Sequence, residues 1–244
     1  MVVHGRMPSV YIAGMCGRFT RNYTWEQIRA LYQLTSPEAI PNLQPRFNAC
    51  PTDPLPVVRH DTKAGERSLD VLKWGLVPYW WSKPPKALRL ATFNARVETV
   101  ATKPFFREPL RSKRCIMPVS GDYEWQDTPQ GKQPWYFTAR DGSPVLTIAA
   151  LWDEWKNRET GERLKSCAMI ITEPNEFVAQ MHDRMPVLLK PDQFEHWLSG
   201  RMGVDELKPI ENDYLQRWPV SKRINSSKAD SNDPTLIEEV KQAA

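Results

Sequence analysis

Apolar residues recur at helical spacing in one early segment of the chain. This spacing predicts a helix from Thr24 to Leu34, with one apolar face formed by Trp25, Ile28, Leu31 and Tyr32. Thr24 and Gln27 have the types and the spacing of a capping box at its start. A proline-rich connection follows from Pro37 to Pro56. Its stretch RFNACPTDPLPVV is expected to be extended, because proline lacks a backbone donor and favours extended neighbours.

Short apolar runs separated by turn residues dominate the middle of the chain and predict strands. The runs are Val57–Val58, Leu69–Trp74, Cys115–Val119, Trp135–Ala139, Val145–Leu151 and Cys167–Thr172. Asp141-Gly142 lies between WYFTAR and SPVLTIAAL, which predicts a hairpin. Gly161 separates ALWDEW from SCAMIIT in the same way. Three consecutive strands are therefore expected to form an antiparallel meander.

The later helices are expected to be short. One is predicted from Pro191 to Ser199, with Gly200 placed to end it. Asp233-Pro234 could cap a final helix with the apolar residues Leu236, Ile237 and Val240. The sum is an α+β fold: a single domain with an antiparallel, barrel-like β-sheet core and peripheral short helices.

Composition indicates a globular protein but does not indicate its function. The 244 residues are 41% hydrophobic and 25% charged, which is typical of one globular domain. No apolar run approaches 18 residues, so no membrane partner is expected. Residues 1–15 lack the apolar stretch of a signal peptide, so a cytoplasmic protein is expected. We also expect a monomer.

The four cysteines, which are Cys16, Cys50, Cys115 and Cys167, contain no C-x-x-C pair. Zinc fingers and thioredoxin-like sites need closer spacing, so neither a metal nor a cofactor is predicted. Cys115 and Cys167 lie in apolar runs, which favours buried, unreactive thiols. The net charge of +4 is compatible with nucleic-acid binding, but a slightly basic enzyme would explain it equally well.

Four polar segments carry candidate chemistry: MCGRFT at 15–20, TFNARVET at 92–99, SGDYEW at 120–125 and MHDRMPV at 181–187. Each alone has an ordinary explanation as a polar loop, a solvated strand residue or a surface turn. Together they supply a thiol, a carboxamide, a carboxylate, an imidazole and three arginines, at strand ends and turns that a fold can bring together. A papain-like site is disfavoured, because Cys16 lacks the C-G-[SA]-C-[WY] context.

These segments, in this order, resemble the SRAP family (SOS response-associated peptidase), whose members act as abasic-site processing proteins. The resemblance covers about residues 15–240. It rests on Met15-Cys16-Gly17-Arg18-Phe19, Arg46-Phe47-Asn48, Trp74-Gly75-Leu76-Val77-Pro78, Asn94-Ala95-Arg96-Val97-Glu98-Thr99, Gly121-Asp122-Tyr123-Glu124-Trp125, His182-Asp183-Arg184-Met185-Pro186 and Trp218-Pro219-Val220-Ser221.

The resemblance implies that Cys16, once N-terminal, crosslinks to the open-chain aldehyde of an abasic site in single-stranded DNA. An N-terminal cysteine offers an amine for an imine and a thiol that closes a thiazolidine ring; a free α-amine has a pKa of ~7.8, so a useful fraction is unprotonated. Glu124 matches the family's catalytic carboxylate and suits proton transfer. His182 would protonate the sugar oxygen, or assist reversal, and Asn94 would orient the amine or the sugar. The expected activity is crosslinking of a lyase type, together with the peptidase activity in the family's name.

The resemblance also implies a DNA surface and a setting. Arg18, Arg96 and Arg184 suit phosphate binding, and Trp80, Trp81 and Phe106 are candidates for base stacking or strand separation. Core packing is the alternative for these aromatic residues. The family name points to the SOS response to DNA damage, with the protein associated with the nucleoid.

Residues 1–15 are an N-terminal extension that conflicts with this chemistry, because an amide nitrogen at Cys16 is not nucleophilic. Three explanations compete: translation begins at Met15, the protein removes its own extension, or this chain has lost crosslinking. We favour the first, so that 16–240 is the functional domain. Two other functions stay open: a thiol peptidase acting on proteins, which would turn over a peptide in trans, and a non-covalent binder of single-stranded DNA, which would show salt-dependent affinity without an adduct.

Overall fold

The computed structural model describes residues 16–35, 43–61 and 65–241. The strands, in chain order, are β1 (Phe19–Arg21), β2 (Arg46–Ala49), β3 (Pro54–Asp61), β4 (Glu66–Trp74), β5 (Asn94–Arg96), β6 (Arg114–Val119), β7 (Gly121–Thr128), β8 (Gly131–Ala139), β9 (Leu146–Lys156), β10 (Arg163–Thr172), β11 (Met185–Pro186) and β12 (Leu215–Pro219). The α-helices are α1 (Trp25–Tyr32), α2 (Val97–Val100), α3 (Arg107–Ser112), α4 (Glu176–Ala179) and α5 (Phe194–Leu198). Every predicted apolar run is a strand or part of one.

The first predicted helix is confirmed as α1. Thr24 accepts from the backbone of Gln27, whose side chain accepts from the backbone of Thr24, so the capping box is present. The buried face holds Ile28 and Tyr32. After the helix, β2 and β3 confirm the extended backbone at both ends of the stretch RFNACPTDPLPVV, while the residues between them form a turn in which Thr52 has φ of 83°. The part of the proline-rich connection at 36–42 lies outside the described residues.

A closed ring of five strands confirms the barrel-like core. β10 pairs with β4, β4 with β3, β3 with β6, β6 with β9, and β9 with β10 again. The β4–β10 pair is parallel, and β5 adds to β10 in parallel with Asn94 opposite Met169. The barrel is therefore mixed, while the other described strand pairs are antiparallel as expected.

A second, antiparallel sheet has the order β12-β8-β7-β1-β2. This arrangement shows that the predicted hairpin at Asp141-Gly142 is wrong. Gly142 does adopt the left-handed conformation, with φ of 79°, so the turn itself is present. However, β8 pairs with β7 and β12, whereas β9 pairs with β6 and β10. The turn thus passes the chain from one sheet to the other, and only the β9–β10 part of the predicted meander is confirmed.

The late helices are shorter than the sequence suggests. Pro191–Gln193 forms a 3₁₀ turn that continues into α5, and Gly200 follows with φ of 81°, so this helix is confirmed. The final helix is wrong in extent. Asp233 caps only a 3₁₀ turn at Pro234–Ile237, and the backbone of Val240 instead donates to Pro219.

Three apolar clusters hold the two sheets and the helices together. The prediction for Cys115 and Cys167 is confirmed, since both are fully buried and burial raises the pKa of each thiol. Among the described residues, no helix has both the length and the apolar character needed to cross a membrane.

Candidate active site

Three side chains from distant parts of the sequence meet beside β1 and β7, two neighbouring strands inside the antiparallel sheet. Cys16 precedes β1, Glu124 lies in β7, and His182 follows α4. One donor atom from each, Sγ, a carboxylate oxygen and an imidazole nitrogen, lies within 4.8 Å of the others. Within the described residues this is the one such cluster of Cys, His, Asp and Glu, and it is also the place where a metal ion could be held.

Backbone pairing between β1 and β7 brings Cys16 to Glu124. Phe19 lies opposite Asp122, and the backbone of Tyr123 donates to the carbonyl of Arg18 at 2.9 Å. A Cβ at Gly121 would lie 2.3 Å from the carbonyl oxygen of Phe137, so only glycine allows this close approach. The site therefore depends on strand packing as well as on its polar side chains.

The Cys16 side chain is enclosed, with 2% of the residue exposed. Its thiol lies 3.7 Å from the carbonyl oxygen of Arg184, to which it can donate. Burial raises the pKa of the thiol well above its usual range, and the neighbouring Glu124 raises it further. At neutral pH the group is consequently a thiol and not a thiolate.

Glu124 is equally enclosed, at 2% exposure, and its Oε1 has no hydrogen-bond partner among the described residues. Burial raises the pKa of this carboxyl group well above its usual range, and Asp122 raises it further. Burial also raises the pKa of Asp122 to about 7. Sequence reasoning did not select Asp122, although two residues apart on a strand share a face. A neutral Glu124 is suited to giving a proton.

The imidazole of His182 lies between Glu124 and its own turn. Nε2 is 3.6 Å from Oε2 of Glu124, and 12% of the side chain is exposed. On the other side of the ring, Nδ1 lies 3.0 Å from the carbonyl oxygen of Arg184 and 3.1 Å from its backbone nitrogen. The turn thus fixes the ring so that Nε2 faces the carboxyl group.

Asn94 holds the backbone of Cys16. Its Nδ2 donates to the Cys16 carbonyl at 2.8 Å, and its Oδ1 is buried without a partner among the described residues. The parallel β5–β10 pair fixes this position. In the peptidase hypothesis Asn94 would act with His182, but His182 is held instead by the backbone of Arg184.

The three predicted phosphate-binding arginines have different surroundings. Nη1 of Arg18 donates to Oδ1 of Asn48 and to the carbonyl of Ile224, both at 2.8 Å, so the protein itself holds this side chain. Arg184 forms an ion pair with Glu98, a residue that sequence reasoning did not select. Arg96 is exposed at the end of β5.

The predicted aromatic surface is only partly available. Trp80 is 38% exposed, next to Tyr79 at 55%. Trp81 is half-buried, and its carbonyl accepts from the indole of Trp155 at 2.6 Å. Phe106 is 7% exposed and packs in the main core, as its core-packing alternative expects, and a DNA contact by this residue stays a prediction. The preceding Phe105 packs against Trp80 instead, with the ring centres 5.2 Å apart.

A family model and curated relatives indicate the same protein family, and a solved structure has the same fold. The family model described as SOS response associated peptidase (SRAP) matches residues 15–227. The abasic site processing protein YoqW of Bacillus subtilis is 34% identical over 232 residues, which cover 92% of this chain and 99% of the relative. The abasic site processing protein HMCES of Xenopus tropicalis is 33% identical, over 80% of this chain and 66% of its own. A crystal structure of a protein from Bacteroides thetaiotaomicron, 24% identical, has the same fold with a TM-score of 0.80, over 92% of this chain and 100% of its own.

Proposed function

The chain belongs to the SOS response associated peptidase (SRAP) family, and we propose on that basis that it processes abasic sites in DNA. Relatives of both bacterial and vertebrate origin carry that activity in their names. The observation that carries the proposal is the close approach of the buried Cys16 and Glu124 to His182, with one carboxyl oxygen of Glu124 lacking a partner in the part of the chain that the structure describes.

The proposed reaction is a covalent capture by Cys16 as the first residue of the mature chain. Its α-amine adds to the ring-opened aldehyde and water leaves, which gives an imine. The thiol sulfur then bonds to the imine carbon, and the thiol proton passes to the nitrogen. The product is a five-membered thiazolidine, and the raised pKa of the thiol means that a proton acceptor must assist this second step.

Three residues around Cys16 can assist the steps of this reaction. Glu124, held neutral by burial, can protonate the departing hydroxyl group and then accept the thiol proton. His182 Nε2 faces the same carboxyl group and can protonate the sugar oxygen on ring opening. Asn94 fixes the Cys16 carbonyl, which orients the amine, and its free Oδ1 can accept a hydrogen bond from that amine or from the sugar.

Single-stranded DNA is the proposed partner. Arg96 is exposed, and Arg184 can exchange Glu98 for a phosphate. Trp80 offers an exposed ring for base stacking, which is worth ~1–3 kcal/mol per base. Arg18, with its two protein partners, is proposed to shape the site next to Cys16 in addition to any phosphate contact.

The proposal requires a free α-amine at Cys16. Residues 1–15 lie outside the described residues, and they are proposed to be absent from the functional form. Intact-mass measurement of the natively expressed protein tests this condition. A mature chain that retains residues 2–15 would contradict crosslinking by that form.

The decisive experiment mixes protein that starts at Cys16 with single-stranded DNA carrying one abasic site. We expect a species of reduced mobility that survives denaturant. Cys16→Ala should lose this adduct, because without the thiol the imine cannot close to the thiazolidine ring. Cys50→Ser is the matched control, since Cys50 is a half-buried thiol outside the cluster, and it should retain the adduct.

Two outcomes would reject the proposal in favour of the alternatives. Salt-dependent binding with no stable adduct would indicate a non-covalent DNA binder. Turnover of an added peptide that depends on Cys16, again without an adduct, would indicate a thiol peptidase.

A further inference from the structure

We propose that Cys16, Glu124 and His182 also form a binding site for a divalent cation of the zinc class, and that this cation competes with abasic DNA for Cys16. Thiolate, imidazole and carboxylate are the three side-chain ligands that zinc uses in proteins. They come from three separate parts of the chain, so no local spacing reveals the site.

The distances fit tetrahedral coordination after small side-chain movements. Zinc bonds are ~2.0–2.3 Å long, so two ligands of one ion lie about 3.3–3.7 Å apart. Nε2 of His182 is 3.6 Å from Oε2 of Glu124, already within that range. The sulfur of Cys16 completes a triangle whose sides do not exceed 4.8 Å.

The surroundings of His182 also suit a metal ligand. A metal-bound histidine usually donates its other ring N–H to a carboxylate or a backbone carbonyl. Nδ1 lies 3.0 Å from the Arg184 carbonyl oxygen, which can accept that proton. In the metal-free protein the Arg184 backbone N–H donates to the same nitrogen at 3.1 Å, which places the ring proton on Nε2. Cation binding would release the Nε2 proton and favour the tautomer in which Nδ1–H donates to the Arg184 carbonyl.

The charges balance when a dication enters. Both Cys16 and Glu124 are 2% exposed, so water would not solvate a negative charge on either of them. A dication displaces one proton from the thiol and one from the carboxyl group, and the resulting thiolate and carboxylate neutralise it inside the protein. The buried Oε1 of Glu124, which lacks a partner among the described residues, gains one either as a second ligand atom or through the protons of metal-bound water.

A fourth ligand is available in the mature form, and this step alone rests on the proposed function. The free α-amine and the thiol of Cys16 would chelate the ion in a five-membered ring. The aldehyde needs the same two groups, so the bound cation would block crosslinking. Removal of the cation by a chelator would restore it.

Cobalt(II) titration of the full-length protein tests the site independently of DNA. We expect one equivalent to give a thiolate-to-cobalt charge-transfer band together with the strong visible absorption of tetrahedral cobalt, and zinc to remove both. Cys16→Ser should lose the charge-transfer band, and Glu124→Gln should weaken binding. Cys50→Ser should bind as the unchanged protein does. The absence of a charge-transfer band, or a band that persists in Cys16→Ser, would overturn the proposal.

Crosslinking assays separate this proposal from the proposed function. Protein that starts at Cys16 should form the DNA adduct with a chelator present and lose it when zinc is in excess. If the adduct never forms while the cobalt band is present, the proposed function fails and the metal site stands. If the adduct forms equally with and without zinc, the competition fails.

Discussion

The Glu124 side chain keeps an ionisable group where water has almost no access, with Oε1 unpartnered among the described residues. An unpaired polar group in such a place normally lowers the stability of the fold. Active sites tolerate this loss because a carboxyl group with a raised pKa can hold a proton near neutral pH. Asp122, whose pKa is raised to about 7, lies on the same face of β7 and disfavours a second negative charge.

Glu124→Gln should therefore slow crosslinking while stabilising the fold at neutral pH. In the unfolded chain the carboxyl group ionises at pH ~4.3, whereas in the folded protein its raised pKa keeps it protonated to higher pH. The folded state thus loses stability as the pH rises above the unfolded pKa. Glutamine does not ionise, so the Glu124→Gln variant avoids this loss. Its free energy of unfolding should equal that of the unchanged protein at pH 4 and clearly exceed it at pH 7. Crosslinking should slow by ~10²–10⁴-fold.

Urea unfolding at the two pH values and single-turnover crosslinking measure the two effects. Glu159→Gln, at an exposed turn, is the control and should change neither. A variant that is less stable than the unchanged protein at pH 7 but equal at pH 4 would show that the Glu124 carboxylate is ionised and paired in the fold.

At the scale of elements, the strands themselves are predictable but their pairing is not. Apolar runs report local burial, so each of the six runs is a strand. Asp141-Gly142 encodes only a reversal of direction, and the partners of β8 and β9 are decided by packing with β7, β12, β6 and β10. The parallel alignment of β5 with β10, which places Asn94, joins segments about 75 residues apart along the sequence and has no local signal.

The loop after β4 carries the exposed aromatic residues, and a buried carboxylate of the barrel is one of the groups that attach it, beside the bond from the Trp155 indole to the Trp81 carbonyl. Asp153 in β9 is fully buried and accepts from the backbone of Tyr79 at 2.9 Å, and it also pairs with Lys113. The ammonium group of Lys113 lies 5.4 Å from the centre of the Tyr79 ring, so the same ion pair supports that ring. Trp80 follows directly.

Asp153→Asn should loosen this attachment. The amide cannot neutralise Lys113 and replaces one acceptor oxygen by a donor, so we expect a loss of about 1.5–3 kcal/mol in the free energy of unfolding. Affinity for undamaged single-stranded DNA should fall, because the Trp80 ring is no longer held in place. Urea unfolding and tryptophan quenching by DNA measure the two changes.

Asp127→Asn provides the matched control. Asp127 is 84% exposed and pairs with Lys132 at 3.5 Å on the β7–β8 hairpin, so its change should stay within about 0.5 kcal/mol. Equal effects of the two substitutions would show that Asp153 does not hold the loop.

At the scale of the whole molecule, the sequence predicts which residues form the candidate site but not which residues surround them. The motifs name Cys16, Asn94, Glu124 and His182, and the fold brings them together. Their partners Asp122 and Glu98 escape prediction because charged strand and helix residues are usually solvated. The sequence leaves open whether Phe106 contacts DNA or packs in the core, and it packs in the core, because neighbouring aromatic residues in a sequence give no sign of which one points inward.

Residues near the end of the described chain support Arg18, which lies two residues after Cys16. The carbonyl of Ala229 accepts from Nδ2 of Asn48 at 2.9 Å, and Oδ1 of Asn48 accepts from Arg18, two residues after Cys16. Leu236 is 1% exposed and packs in the third apolar cluster. The family model ends at residue 227, so this support comes from residues beyond the matched region.

Removal of residues 228–244 should consequently slow crosslinking even where the shortened protein remains folded, because Asn48, which orients Arg18, loses its 2.9 Å bond to Ala229 and keeps only the 3.5 Å contact with the Ser226 carbonyl. Leu236→Ala, which leaves the chain complete, should lower the free energy of unfolding by ~2–5 kcal/mol with a smaller effect on the rate. Glu238→Ala, at an exposed position, should change neither quantity. Circular dichroism establishes the temperature at which each variant is folded, and single-turnover crosslinking is compared below it. An unchanged rate in the shortened protein would mean that Ile224 and the Trp125 ring suffice to hold Arg18, and that residues 228–244 contribute only stability.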